Sequence, residues 1–198
     1  MPPPRREWDM IKLAVIVGST RSGRFAPVVA NWFTEQARQR ADLDLDVLDL
    51  ADLGLPDVLA GWGEEPADEV KAVSPRLADA DAFVVITPEY NHSFPAPLKS
   101  AIDWHTAEWR AKPVGFVSYG GHGGGLRAVE QLRLVFAELH AVTIRDTVSF
   151  HGAWSRFDEN GEPLDAEGVN GAAKTMLDQL VWWGTALKDA RAKQPYEA

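Results

Sequence analysis

The stretch "LAVIVGSTRSGR", Leu13–Arg24, joins an unbroken apolar run to a loop of two glycines, two serines, a threonine and two arginines. A continuous apolar run suits a strand covered on both faces of a parallel sheet. Beyond the loop, Phe25, Val28, Val29, Trp32 and Phe33 recur at helical spacing, with Pro27 tolerated in the first turn. Strand, polar loop and helix make the opening unit of an α/β fold, and the loop is built for an anion. Gly18 permits a tight exit from the strand, while Ser19 and Thr20 offer hydroxyl and backbone donors. Arg21 and Arg24 present planar forks that match phosphate oxygens. A charge-assisted hydrogen bond, about 1.5–3 kcal/mol net, outweighs the roughly 0.3–1 kcal/mol from a helix dipole. The loop is not a Walker P-loop, because Arg24-Phe25 stands where Lys and Ser/Thr belong, nor is it GxGxxG, because Thr20 replaces the second glycine. An arginine-bearing surface loop without a ligand is the plainer alternative.

The chain has 198 residues, enough for one domain with a full core. It contains no cysteine, which excludes disulfides, thiolate catalysis and cysteine-bound metal centres. A net charge of −9 argues against a nucleic-acid surface, which needs clustered Lys and Arg. No segment is apolar enough to span a bilayer. The start, "MPPPRREWDM", lacks the apolar core of a secretory signal. A disordered tail is expected over residues 1–11, a single domain over 12–190 and a C-terminal tail over 191–198, in a cytoplasmic protein.

Strands are expected at Lys12–Val17, Leu43–Asp49, Ala82–Thr87, Pro113–Tyr119 and Val142–Ser149, and helices from near Phe25, Ala67, Pro95, Leu126 and Ala166. Ser74-Pro75 is expected to kink or shorten the second helix. "FDENGEP", Phe157–Pro163, reads as a turn. "LAVIV", "AFVVI" and "VGFV" are continuously apolar, whereas "LDLDV" alternates, as do Val142 and Ile144 with Thr143 and Arg145. The first, third and fourth strands therefore sit inside and the second and fifth at the edges. The expected fold is a three-layer α/β sandwich, a five-stranded parallel sheet of order 2-1-3-4-5 with helices on both faces. In such a sheet ligands gather beyond the carboxyl ends of the strands.

Two further loops would meet the first at that rim. In "TPEYNHSFPAPLK", Pro88 and Pro95 stiffen the path, Tyr90 supplies an aromatic wall and Asn91 can pair with a heterocycle edge. Asn91-His92-Ser93 also reads as turn chemistry before a helix capped by Ser93. In "SYGGHGGG", five glycines between Gly120 and Gly125 allow close backbone approach, and Ser118 is placed to point at whatever the loop covers. Elsewhere the signals are weaker. His92, His105, His122, His140 and His151 show no metal-ligand spacing, and no GxSxG elbow exists. Trp182-Trp183 reads as core or interface, and Asp42, Asp44 and Asp46 as solvated charges protecting an edge strand.

"VIVGSTRSGRFAPVVANWF" (Val15–Phe33) and "PEYNHSFPAPLKSAIDW" (Pro88–Trp104) resemble the NAD(P)H-dependent FMN reductases, flavodoxin-like proteins that include quinone, chromate and azo-dye reductases. The resemblance implies FMN as bound cofactor, with Ser19, Arg21, Arg24 and Phe25 at its phosphate. Pro88, Glu89, Tyr90 and Asn91 would line the isoalloxazine ring, approached by Ser118, Gly120 and Gly121 from the fourth strand. It further implies a homodimer or homotetramer with the Leu98–Trp104 helix near a subunit contact. No catalytic side chain is required, because the cofactor carries the chemistry. NADPH or NADH would reduce the flavin, and a quinone, free flavin or similar small acceptor would reoxidise it in a ping-pong scheme. The alternative is a flavodoxin-type electron carrier served by a protein partner; a relative that has lost FMN is a third reading.

Overall fold

The computed structural model describes residues 10–197. Five strands, β1 (Ile11–Val17), β2 (Leu43–Asp49), β3 (Ala82–Pro88), β4 (Pro113–Gly120) and β5 (Val142–His151), form one sheet of order β2-β1-β3-β4-β5. Every pairing is parallel, as in Val15↔Val47, Val15↔Val84 and Val84↔Gly115. Helices α1 (Ala26–Arg38) and α6 (Ala166–Lys193) cover one face; α3 (Asp68–Asp79), α4 (Ala96–Asp103) and α5 (Leu126–Glu138) cover the other. A short helix α2 (Leu50–Leu53) follows β2. Among the described residues, no helix is long and apolar enough to cross a membrane.

Side-chain alternation divides the core. Leu13, Val15 and Val17 pack against α1 and α6, while Ala14 and Ile16 pack with Leu77, Leu98 and Phe136 on the opposite face. Both sets are buried, which is why the three inner strands read as unbroken apolar runs. β2 and β5 each have one free edge and keep exposed positions such as Asp44 and Arg145.

Several expectations need correction. Ile11 belongs to β1 rather than to a tail, and its side chain lies where a Cβ on Gly184 would meet it at 3.3 Å. Of the expected tail, residues 1–9 lie outside the described residues. α6 continues to Lys193, and Arg191 donates to the Ala111 carbonyl at 2.5 Å, so 191–193 are part of the domain. Pro75 neither ends nor shortens α3. Proline removes the bond to the carbonyl four residues back, here that of Lys71, which stands on the solvent side, as does Pro75. Of the two places expected for Trp182 and Trp183, the core is excluded: they lie on the outer side of α6, edge to face at 5.0 Å. Asp42 is only 6% exposed and accepts from Arg40, so it is not a solvated charge, whereas Asp44 is exposed and Asp46, though paired with Arg76, keeps a side chain 44% exposed.

Candidate functional site

The carboxyl ends of β1, β3 and β4 open into a cleft of about 380 Å³. Ser19, Arg21, Ser22, Gly23, Arg24 and Phe25 line it from the first loop; Pro88, Glu89 and Tyr90 from the second; Tyr119, Gly120 and Gly121 from the third. Trp154 closes one side. A cleft of similar size at the start of β1 is less suited to a ligand, because its Lys12 and Arg76 are already held by Asp79 and Asp46.

The first loop leaves β1 against the backbone of β3. The Gly18 amide donates to the Ile86 carbonyl at 2.9 Å, and a Cβ there would stand 3.0 Å from Leu98 Cδ2. Any side chain would force this exit open. Arg24 then folds back: its guanidinium donates to both oxygens of Asp49, at 2.5 and 2.7 Å, and to the Ser19 carbonyl at 2.8 Å. Arg24 is therefore spent on shaping the loop, and Arg21 is left exposed at the rim. The Ser19 hydroxyl is 3.1 Å from that of Tyr90, linking the first loop to the second. Behind the loop, α1 begins at Phe25 with no side-chain cap and no acidic residue in its first turn. Its positive end is thus uncompensated, the condition that favours an anion.

The second loop is a two-residue reversal. Tyr90 and Ser93 exchange backbone hydrogen bonds at 2.8 and 3.0 Å around Asn91 and His92, which have φ of 49° and 73°. Two consecutive positive φ values match a type I′ turn. Asn91 points outward at the tip and is not among the cleft-lining residues. Ser93 does not cap α4, which starts after Pro95; its hydroxyl donates to Gln131 Oε1 at 2.6 Å, while Gln131 donates to the His92 carbonyl. Glu89 accepts from the Arg127 amide and guanidinium at 3.2 and 2.7 Å, fastening the second loop to α5.

The third loop is pinned from below. The Gly124 carbonyl accepts from Ser118 Oγ at 2.9 Å and Ser149 Oγ at 2.7 Å. Ser118 is thus fully buried and supports the loop rather than facing the cleft. Gly125, at φ 85°, allows this packing, since a Cβ would lie 2.6 Å from that of Ser118.

Besides Ser22 and Gly23 of the first loop, two lining residues were not expected from the sequence. Tyr119 shares the α1 face of β4 with Val117, so alternation turns it, and not Ser118, toward the first loop. It is 4% exposed, and its hydroxyl has no hydrogen-bond partner. Burial pushes its phenol well above the ordinary value, partly offset by Ser19. Trp154 sits on a 3-10 turn (Ala153–Ser155) after β5, 66% exposed, tethered through the Gly152 amide to the Gly121 carbonyl at 2.8 Å. Its only signal in the sequence was an aromatic residue just past a strand's carboxyl end.

Fold and cleft together define a flavodoxin-like α/β protein with a rim suited to an anion and a flat ring. Residues 11–155 match the NADPH-dependent FMN reductase family, to which the chain belongs; it is an oxidoreductase. An NAD(P)H-dependent FMN reductase of Schizosaccharomyces pombe is 41% identical over 122 residues, 58% of this chain and 60% of that protein. A 2-hydroxy-1,4-benzoquinone reductase of a Burkholderia species is 31% identical over 182 residues, 87% of this chain and 96% of that one. The structure of the flavoenzyme NAD(P)H:(acceptor) oxidoreductase FerB from Paracoccus denitrificans shares the fold, with a TM-score of 0.71 at 24% identity over 89% of this chain and 98% of that one.

Proposed function

We propose that the cleft seats FMN with its phosphate at the first loop and its ring between the second and third. The chain is an FMN-dependent NAD(P)H oxidoreductase acting on small acceptors of the quinone or flavin class. Arg21 and the uncapped start of α1 would hold the phosphate, and Phe25 would flank it. Pro88, Tyr90, Gly120 and Gly121 would border the ring. Arg24, Glu89 and Ser118 hold the three loops in register through their own bonds. Asn91, at the tip of its turn, would meet the edge of the ring or the incoming substrate. The observation that carries this reading is the convergence of three strand-end loops on one cleft whose helix terminus is left uncapped.

Bound FMN supplies two-electron redox chemistry between a nicotinamide and a second substrate. The protein's part is to orient the ring and leave a face accessible. One cleft serves both substrates, so they take turns. The electron-carrier alternative is not favoured, because the family match is to reductases. The apoprotein is expected to turn yellow with FMN and then to oxidise NADPH or NADH with a quinone, without any protein partner. No spectral change with FMN, or no turnover without a partner, would overturn this.

A cytoplasmic location and a homodimer or homotetramer belong to the same reading. The segment after α2 exposes Val58, Leu59 and Trp62 and is tied to α4 by a Trp104 Nε1 bond to the Pro56 carbonyl at 2.8 Å. Exposed apolar side chains beside that helix favour a subunit contact there. Light scattering tests the assembly, and a W62A/L59A double variant is expected to weaken it.

A further inference from the structure

We propose that the Tyr119 hydroxyl donates a hydrogen bond to the phosphate monoester of the bound cofactor. The inference rests on the FMN reading above and assigns a contact to a residue outside the two motifs that carry the family resemblance.

Buried hydroxyls almost always have partners, and an exception asks for an explanation. Among the described residues, two buried side chains carry a polar atom without a partner: His105, at Nε2, and Tyr119. His105 lies apart from the cleft, whereas Tyr119 lines it. A phenylalanine would pack equally well beside Phe25, whose ring centroid is 6.2 Å away, and would leave no polar atom unmet. The Ser19 hydroxyl is near enough to temper the Tyr119 phenol but bonds Tyr90 and is not within hydrogen-bond geometry of Tyr119, and both Asp49 oxygens are engaged with Arg24. What lines the cleft next to Tyr119 is the first loop and the uncapped start of α1. An anion placed there would meet Arg21, the helix terminus and a phenol that stays protonated, and so able to donate, at neutral pH. Phosphate oxygens accept such donors strongly.

The test is Tyr119→Phe. FMN titration of the apoprotein should show affinity about tenfold weaker, equivalent to about 1.4 kcal/mol. The phosphorus NMR resonance of bound FMN should move relative to wild type. The melting temperature of the apoprotein should be unchanged or higher, because the variant loses only an unmet polar atom. An FMN dissociation constant within twofold of wild type would overturn the proposal. So would an unmoved phosphorus resonance, or a less stable apoprotein, which would reveal a protein partner for the hydroxyl. If wild type itself binds no FMN, the cofactor reading fails; if wild type binds and the variant binds equally, only the Tyr119 assignment fails.

Discussion

Gly125→Ala is the sharpest probe of how the third loop is built. Two costs add at that position. The residue sits at φ 85°, a left-handed conformation that costs a residue with a Cβ about 1–2 kcal/mol. The new Cβ would also stand 2.6 Å from Ser118 Cβ and 2.9 Å from the Tyr119 amide nitrogen. Ser118 is fully buried and the amide is strand backbone, so neither can swing away, and overpacking of this kind costs about 1–3 kcal/mol. The sum is about 2–5 kcal/mol, which for a chain this size lowers the melting temperature by about 4–20 °C. Gly171→Ala is the matched control. It lies inside α6 with nothing within 4 Å of a Cβ and should stabilise the protein by about 0.5–1 kcal/mol through helix propensity. Calorimetry of the two purified variants reads both signs. Displacing Gly125 also shifts the Gly120 and Gly121 wall, so FMN affinity should fall with stability in that variant alone. A Gly125→Ala protein that melts within 2 °C of wild type would refute the packing argument.

Three other outcomes are expected. Asp49→Ala removes the carboxylate pairing with Arg24, whose side chain and partner are 16% and 22% exposed, together with the cap it gives the Ala51 amide. Between the values for surface and buried pairs, plus about 1 kcal/mol for the cap, the loss is about 2–3 kcal/mol in urea denaturation; a change below about 0.5 kcal/mol would show that the pair is idle. Trp154→Ala should leave the melting temperature within about 1 °C. It should raise the KM for a flat aromatic acceptor several-fold, in line with the roughly 0.5–1.5 kcal/mol of an aromatic contact, and unchanged kinetics would remove Trp154 from the cleft's working wall. Lys112 is buried, and its ammonium is pushed down to about 8 by desolvation and by Arg191, although it donates to the Leu77 and Ala78 carbonyls. Between pH 8 and the ordinary lysine value of 10.5 the unfolded chain binds more protons at this site, so its contribution to stability rises with pH across that window. The stability of wild type measured relative to Lys112→Met should therefore rise from pH 8 to pH 10, and a flat relative stability would contradict the shift.

The sheet order was legible because burial on both faces leaves an imprint on composition: "AFVVI" admits no polar residue, whereas "LDLDV" does. Sequence position was also enough to bring three loops to one rim, since strand ends in a parallel sheet share a side. Pairings across the chain were not legible. Nothing near Arg24 announces Asp49, which arrives 25 positions later at the end of a neighbouring strand. Ser93 has the look of a helix cap, but Gln131 of α5 competes for its hydroxyl and Pro95 starts α4 instead. Ser118 and Tyr119 show how a period of two can mislead at a strand end. Both stand at the rim, and only the placement of α1 on one face decides which side chain enters the cleft.

The grip of Asp49 on Arg24 ties the first loop to an edge strand whose only strand neighbour is β1. Opening of β2 by thermal fluctuation would let that loop slacken, so amide exchange along Leu43–Asp49 and escape of the bound nucleotide should follow the same temperature dependence. Slow release would then be set by how tightly an edge of the sheet is zipped, at a distance from any group that touches the ligand.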